Sequence, residues 1–158
     1  MDNMKQTAQA VCDGYTKWEI EAVMKPRAEN CTHHLGPRSL GRPPRDNQQY
    51  RKYFSSVQSL FHDFQIEVGD SVFDVDQKKA ALHVFGSASS PVGKYEQEYS
   101  FFLEFNEDGT KVVRMEEMID STNLAKFFGR LHDYVEKGGG EGEAWVSAVK
   151  AAHKESSG

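Results

Sequence analysis

The chain has 158 residues, a formal net charge of −5 and an apolar fraction of 38%, the composition of one globular domain with one substantial core. The negative charge argues against a nucleic-acid partner, which asks for a basic face. No stretch approaches the roughly 18 apolar residues of a membrane span.

The start, MDNMKQTAQA, lacks the charged-then-apolar layout of a secretory signal. Cys12 and Cys31 form neither a disulfide framework nor a metal-ligand spacing, so a cytoplasmic protein with reduced thiols is expected. Residues 4–15 place Met4, Ala8, Val11, Cys12 and Tyr15 at helical spacing, and Cys12 reads as a packing residue on that apolar face. A capping box, Thr16 with Glu19, introduces a short second helix carrying Ile20, Val23 and Met24, which Pro26 stops. The segment CTHHLGPRSLGRPPRD reads as long and irregular, and long loops in compact domains often serve function. Asp46 and Gln49 then cap a helix whose apolar residues, Tyr50, Tyr53, Phe54, Val57, Leu60, Phe61 and Phe64, keep 3–4 spacing.

Beyond it the period changes to two. Strands are expected over 65–75 (interrupted near Gly69), 78–89, 94–106 and 111–120, with EDGT as the last hairpin turn. A helix starts at the DSTN cap and carries Leu124, Phe127, Phe128, Leu131 and Tyr134. The domain is expected over 1–137. Residues 138–158 read as a Gly-rich break and a tail able to form a short helix with Trp145, Val146 and Val149. Helices followed by hairpin-connected strands predict an α+β fold, a cone-shaped curved antiparallel sheet wrapped around the N-terminal helices. A cone mouth is a natural pocket.

The stretch VVRMEEMID raises the functional question, because strand side chains alternate and Glu116 and Glu117 must face opposite ways. On the preceding strand, Tyr95, Gln97, Tyr99, Phe101, Leu103 and Phe105 share one side, which must be the inner one. On the last strand the set Val113, Met115, Glu117 and Ile119 is the more apolar, so Glu117 is expected inside and Glu116 outside with Arg114. An inward carboxyl is protonated or hydrogen-bonded, and the phenols of Tyr95 and Tyr99 are the expected donors. Such a group suits proton transfer; the alternative reading is a structural group satisfied by a tyrosine or the backbone, or one lying at a wet rim.

The segments SLGRPPRDNQQYRKYF, GKYEQEYSFFLEFNEDGTKVVRMEEMIDS and LGPRSLGRPPRDN, with the ending RMEEMIDS, carry a resemblance. Over residues 4–135 the chain resembles the SnoaL-like branch of the nuclear-transport-factor-two-like superfamily, near small fungal biosynthetic isomerases and cyclases. The resemblance implies a cone fold, a homodimer through the outer sheet face, and acid–base chemistry without cofactor or metal. It implies Glu117 as the acidic residue, Tyr95 and Tyr99 as pocket tyrosines, and Arg38 over the mouth, where a cation can hold a developing oxyanion. Tyr53, Phe54, Val57, Phe101 and Met115 are expected to shape the substrate pocket.

His33 and His34 are adjacent and point opposite ways on an extended chain, which is poor geometry for one metal. One of them is a candidate pocket residue, and His34 is assigned that place. Arg42 and Arg45 read as solvated loop charges. The expected function is a cofactor-independent isomerase or cyclase acting on a bulky apolar secondary metabolite. The alternatives are a small-ligand-binding or interaction module on the same cone, and a dehydratase or hydrolase. Hydrolysis of an epoxide commonly uses a second inward carboxylate to hold water.

Overall fold

The computed structural model describes residues 1–157. Helix α1, Asp2–Lys17, buries Met4, Ala8, Val11, Cys12 and Tyr15 along one stripe and ends at Trp18 in the left-handed region. The turn brings α2, Ile20–Met24, tightly against α1. A Cβ on Gly14 would lie 2.6 Å from the Ala22 carbonyl oxygen, so this approach requires glycine. Burial pushes the Cys12 thiol up to about 11, with Asp13 adding to the effect, which fits a packing residue rather than a nucleophile.

The chain then forms a strand that the sequence pattern concealed. β1, Arg27–Gly36, begins before the segment expected to be irregular and takes its first six residues. Its most buried side chains include Arg27, Cys31 and His33 rather than a run of aliphatic groups, so no apolar alternation announces it. A single 3-10 turn at Arg38–Leu40 follows, and then α3, Asn47–Gln58, opened by the expected Asp46–Gln49 capping box. α3 is shorter than its apolar spacing suggests. Leu60, Phe61 and Phe64 lie beyond its end, with Phe64 already on β2, His62–Asp74. They still pack into the core, which is why they mimic a continuing helix face.

β3 is Lys79–Ser90, β4 is Gly93–Phe105 and β5 is Val112–Ile119. The sheet order is β1-β5-β4-β3-β2. The four expected strands pair antiparallel, with a register shift between Val68 and Asp70 at the interruption near Gly69. The fully antiparallel expectation is corrected by β1, which pairs with β5 in parallel and makes the sheet mixed. Another register shift, where Phe105 pairs with Val112 and Glu104 with Arg114, moves Val113 off the inner face. Val112 is buried in its place. Beyond that bulge Met115, Glu117 and Ile119 keep the expected parity.

α4, Ser121–Glu136, starts at the Asp120 cap. Residues 143–156 form α5, Glu143–Ser156, which buries Trp145 and Val149. The Trp145 indole N–H donates to the Ser59 carbonyl at 3.2 Å. The result is an α+β fold with two clusters of core residues. One joins the N-terminal helices to the sheet, and the other joins α4 and α5 to Phe61, Phe64 and Tyr95. No described helix is long and apolar enough to cross a membrane.

Candidate active site

A cavity of about 90 Å³ lies between the two clusters. α3 contributes Tyr53, Phe54 and Val57, β4 contributes Tyr95, Tyr99 and Phe101, and β5 contributes Glu117 and Ile119. Its other walls include Leu35 at the end of β1, Leu40 and Arg42 after it, and Ala152, Glu155 and Ser156 of α5. Seven of the ten site residues expected from the sequence therefore converge on one space, where Glu117 stands among aromatic walls and Glu155 of α5 is a second acid on the lining. Three do not. Arg38 sits on the 3-10 turn with its side chain exposed, and Arg42 reaches the cavity instead. Met115 is inward but lies behind the wall, only 1% exposed, with its sulfur 3.9 Å from Arg27 Nη2. His34 faces the other side of β1, beside Thr32 at 3.2 Å and in register with Glu116. Parity on the unrecognised strand decides this last point: His33, not His34, shares a face with Cys31.

The phenols are also arranged differently from the expectation. Tyr95 and Tyr99 hydroxyls bond each other at 2.9 Å. The reason is register: Phe101 stands opposite Glu117 on β4, while Tyr99 stands opposite Ile119. Burial raises the pKa of both phenols, so both stay protonated. One proton joins the two oxygens, and the second is free for a ligand.

Glu117 is held instead by a buried relay from β1. His33 Nε2 lies 3.1 Å from Glu117 Oε2. His33 Nδ1 lies 3.0 Å from Arg27 Nη2, which also donates to the Tyr15 hydroxyl at 3.3 Å. A guanidinium can only donate, so His33 Nδ1 must accept. The imidazole proton therefore sits on Nε2 and is donated to Glu117. Burial pushes the imidazole pKa down to about 4, although the Glu117 hydrogen bond opposes the shift; Arg27 adds to the depression. His33 is thus a neutral donor with one fixed tautomer, unsuited to accept a proton. Arg27 lies 4.0 Å over the Tyr50 ring, and His33 stacks on that ring at 4.3 Å. The Tyr50 hydroxyl closes the network on Tyr15 at 2.7 Å.

These contacts fix one carboxylate oxygen and leave the group facing a largely aromatic cavity, a geometry in which a carboxyl can exchange a proton with a bound molecule. Tyr53 adds a protonated phenol to the same wall, its pKa raised by burial and then by Glu117. Among the described residues no three His, Cys, Asp or Glu side chains are grouped to hold a metal. Arg27 and the α5 residues were missed in the sequence, and His33 was weighed beside His34 without being chosen. The alternation of Cys31, His33 and Leu35 was the available signal for His33.

No family model matches the chain. It is 33% identical over 129 residues to the monooxygenase dmxR10 of Cryptosporiopsis sp., a match covering 80% of this chain and 86% of that protein. It is 34% identical over 124 residues to the austinoid biosynthesis clusters protein H of Penicillium brasilianum, covering 76% of this chain and 84% of that protein. Among solved structures, the BvnE pinacolase from Penicillium brevicompactum superposes with a TM-score of 0.81 at 27% identity, covering 85% of this chain and 97% of that one. With relatives above 30% identity covered over most of their length and a shared fold, the chain belongs to the SnoaL-like family, in its group of small fungal natural-product biosynthesis proteins.

Proposed function

We propose that the protein is an isomerase or cyclase that moves a proton on a bulky, mostly apolar natural product, with Glu117 as the acid–base group. The observation that carries this reading is the Glu117 carboxylate, anchored through one oxygen by a neutral imidazole whose tautomer Arg27 fixes. A carboxylate so held can take a proton from carbon or oxygen and return it elsewhere, which rearranges a skeleton without redox change. Tyr53 and the Tyr95–Tyr99 pair supply hydroxyls for a substrate carbonyl, and the aromatic walls supply shape. The chemistry requires no cofactor, since every proton has a residue to carry it.

A second reading comes from relatives named monooxygenases. The same base could generate a carbanion that reacts with dioxygen. A methylene between activating groups would become a carbonyl, with water as the other product.

Deleting the gene in its host and adding purified protein to the accumulated metabolites separates the readings. A product of unchanged mass, carrying deuterium when the reaction runs in heavy water, is expected. A product that gains oxygen from labelled dioxygen would select the second reading. Absence of any accumulated or converted metabolite would leave a ligand-binding module.

We also propose a homodimer through the outer sheet face. Phe85 and Phe102 are 40% and 44% exposed there, and Val72 is 68% exposed, an apolar surface that a monomer would leave in water. Sedimentation should give the dimer mass at micromolar concentration; a monomer would reject it. The free buried thiols of Cys12 and Cys31 accord with a cytoplasmic setting.

A further inference from the structure

The mouth of the cavity carries more positive charge than it uses. Arg42 Nη1 and Arg45 Nη2 each lie 3.8 Å from the same atom, Glu155 Oε2. Their side chains are only 16% and 15% exposed, whereas Glu155 is 44% exposed. A charge-assisted hydrogen bond would be about 2.7–2.9 Å long, so both guanidiniums feel the carboxylate without spending a donor on it. Two mostly buried cations facing one half-exposed anion leave a surplus of positive charge beside the cavity. Arg45 is held in place from below, its guanidinium 4.1 Å over the Tyr53 ring.

The anion comes from a segment able to withdraw. α5 is anchored in its first half by Trp145 and Val149, 4% and 0% exposed. Its last turn, with Ala152, Glu155 and Ser156, supplies part of the cavity wall. The last turn of a helix lacks the onward hydrogen bonds that hold its middle and opens at small cost. The closed cavity of about 90 Å³ falls well below the roughly 300 Å³ or more of a site for a drug-sized ligand. A substrate of that size needs a wider cavity, and withdrawal of this turn, which forms part of the wall, would both widen it and expose the two guanidiniums.

We propose that Arg42 and Arg45 form an anion-recognition site at the cavity mouth, and that Glu155 occupies it in the closed protein as an internal competitor. The ligand class this implies is an apolar polycycle bearing one acidic oxygen, a carboxylate or an enolate. This rests on reading the cavity as the substrate site, and it adds the substrate's charge and the group that gives way to it.

A matched pair of fluorescent probes tests it: anilinonaphthalene sulfonate, which is anionic, and phenylnaphthylamine, the same aromatic body without the sulfonate. Removing one half-exposed competing charge in Glu155→Gln should tighten the sulfonate by about fivefold and leave the neutral dye unchanged. The gain should shrink as salt is raised. Arg42→Gln and Arg45→Gln should each remove the preference for the anion. Should Arg45→Gln fold poorly, judged by near-ultraviolet dichroism, Arg42→Gln decides the matter. Equal tightening of both dyes in Glu155→Gln would make α5 a plain cover and overturn the proposal. So would unchanged affinities, or an anion preference that survives loss of the arginines. No turnover is measured, so failure here leaves the role of Glu117 standing, and failure of that role leaves this result standing.

Discussion

Glu117→Gln is expected to lower turnover by roughly 100-fold or more, the scale of a positioned acid or base. The amide keeps the side chain's shape, and its carbonyl oxygen still accepts from His33 Nε2, so the relay from Arg27 persists. Only the ability to exchange a proton is removed. Stability should change by less than about 1 kcal/mol, because a partly enclosed carboxylate is replaced by a neutral group with the same anchoring hydrogen bond. Glu116→Gln is the internal control. Glu116 lies on the opposite face, where it accepts from Arg114 Nη2 at 2.8 Å with both side chains about one-third exposed. Its loss removes one surface ion pair and should be nearly silent in rate and stability. Native folding with undiminished turnover in Glu117→Gln would end the acid–base reading. An unfolded Glu117→Gln protein would make the carboxylate a structural anchor of the β1–β5 pairing.

The inward position of Glu117 was legible because β4 alternates strictly and β5 alternates beyond its bulge, with one apolar face to set the register. The same rule misplaced Val113, since a bulge changes parity without changing composition. β1 was not legible for a physical reason that also explains the site. Its inward positions are spent on Arg27 and His33, the groups that hold Glu117, so the strand lacks the apolar face by which strands are recognised. The tyrosine contact to Glu117 failed on a register detail, the alignment of Phe101 rather than Tyr99 with Glu117. α3 could not be bounded by periodicity because Phe61 and Phe64 enter the core from outside the helix at spacings that continue its stripe. The part played by α5 required tertiary placement, as nothing in its sequence ties Glu155 to Arg42 and Arg45.

His33 should give the protein a pronounced loss of stability in mild acid. Its ordinary pKa is 6.5 and its value in the folded protein is about 4. Between these values the unfolded chain binds a proton that the folded protein refuses, so stability rises with pH across this window. Lowering the pH from about 6.5 to 4 should therefore cost up to about 3 kcal/mol from this one group, at about 1.4 kcal/mol per unit. His33→Gln isolates the effect. The glutamine amide can accept from Arg27 and donate to Glu117, as the imidazole does, but it does not titrate. Urea titrations across the acid range should give a flatter stability curve for the variant, and the difference between the two curves should be confined to that window. Near neutral pH the two proteins should differ by only about 1 kcal/mol, the scale of one imperfect hydrogen bond. The same variant separates positioning from chemistry. A neutral donor whose other nitrogen already accepts from Arg27 carries no proton in turnover, so His33→Gln should keep activity within about tenfold of the parent, far above Glu117→Gln. A His33→Gln protein as inactive as Glu117→Gln, with parallel acid curves, would move the proton-carrying role to the imidazole.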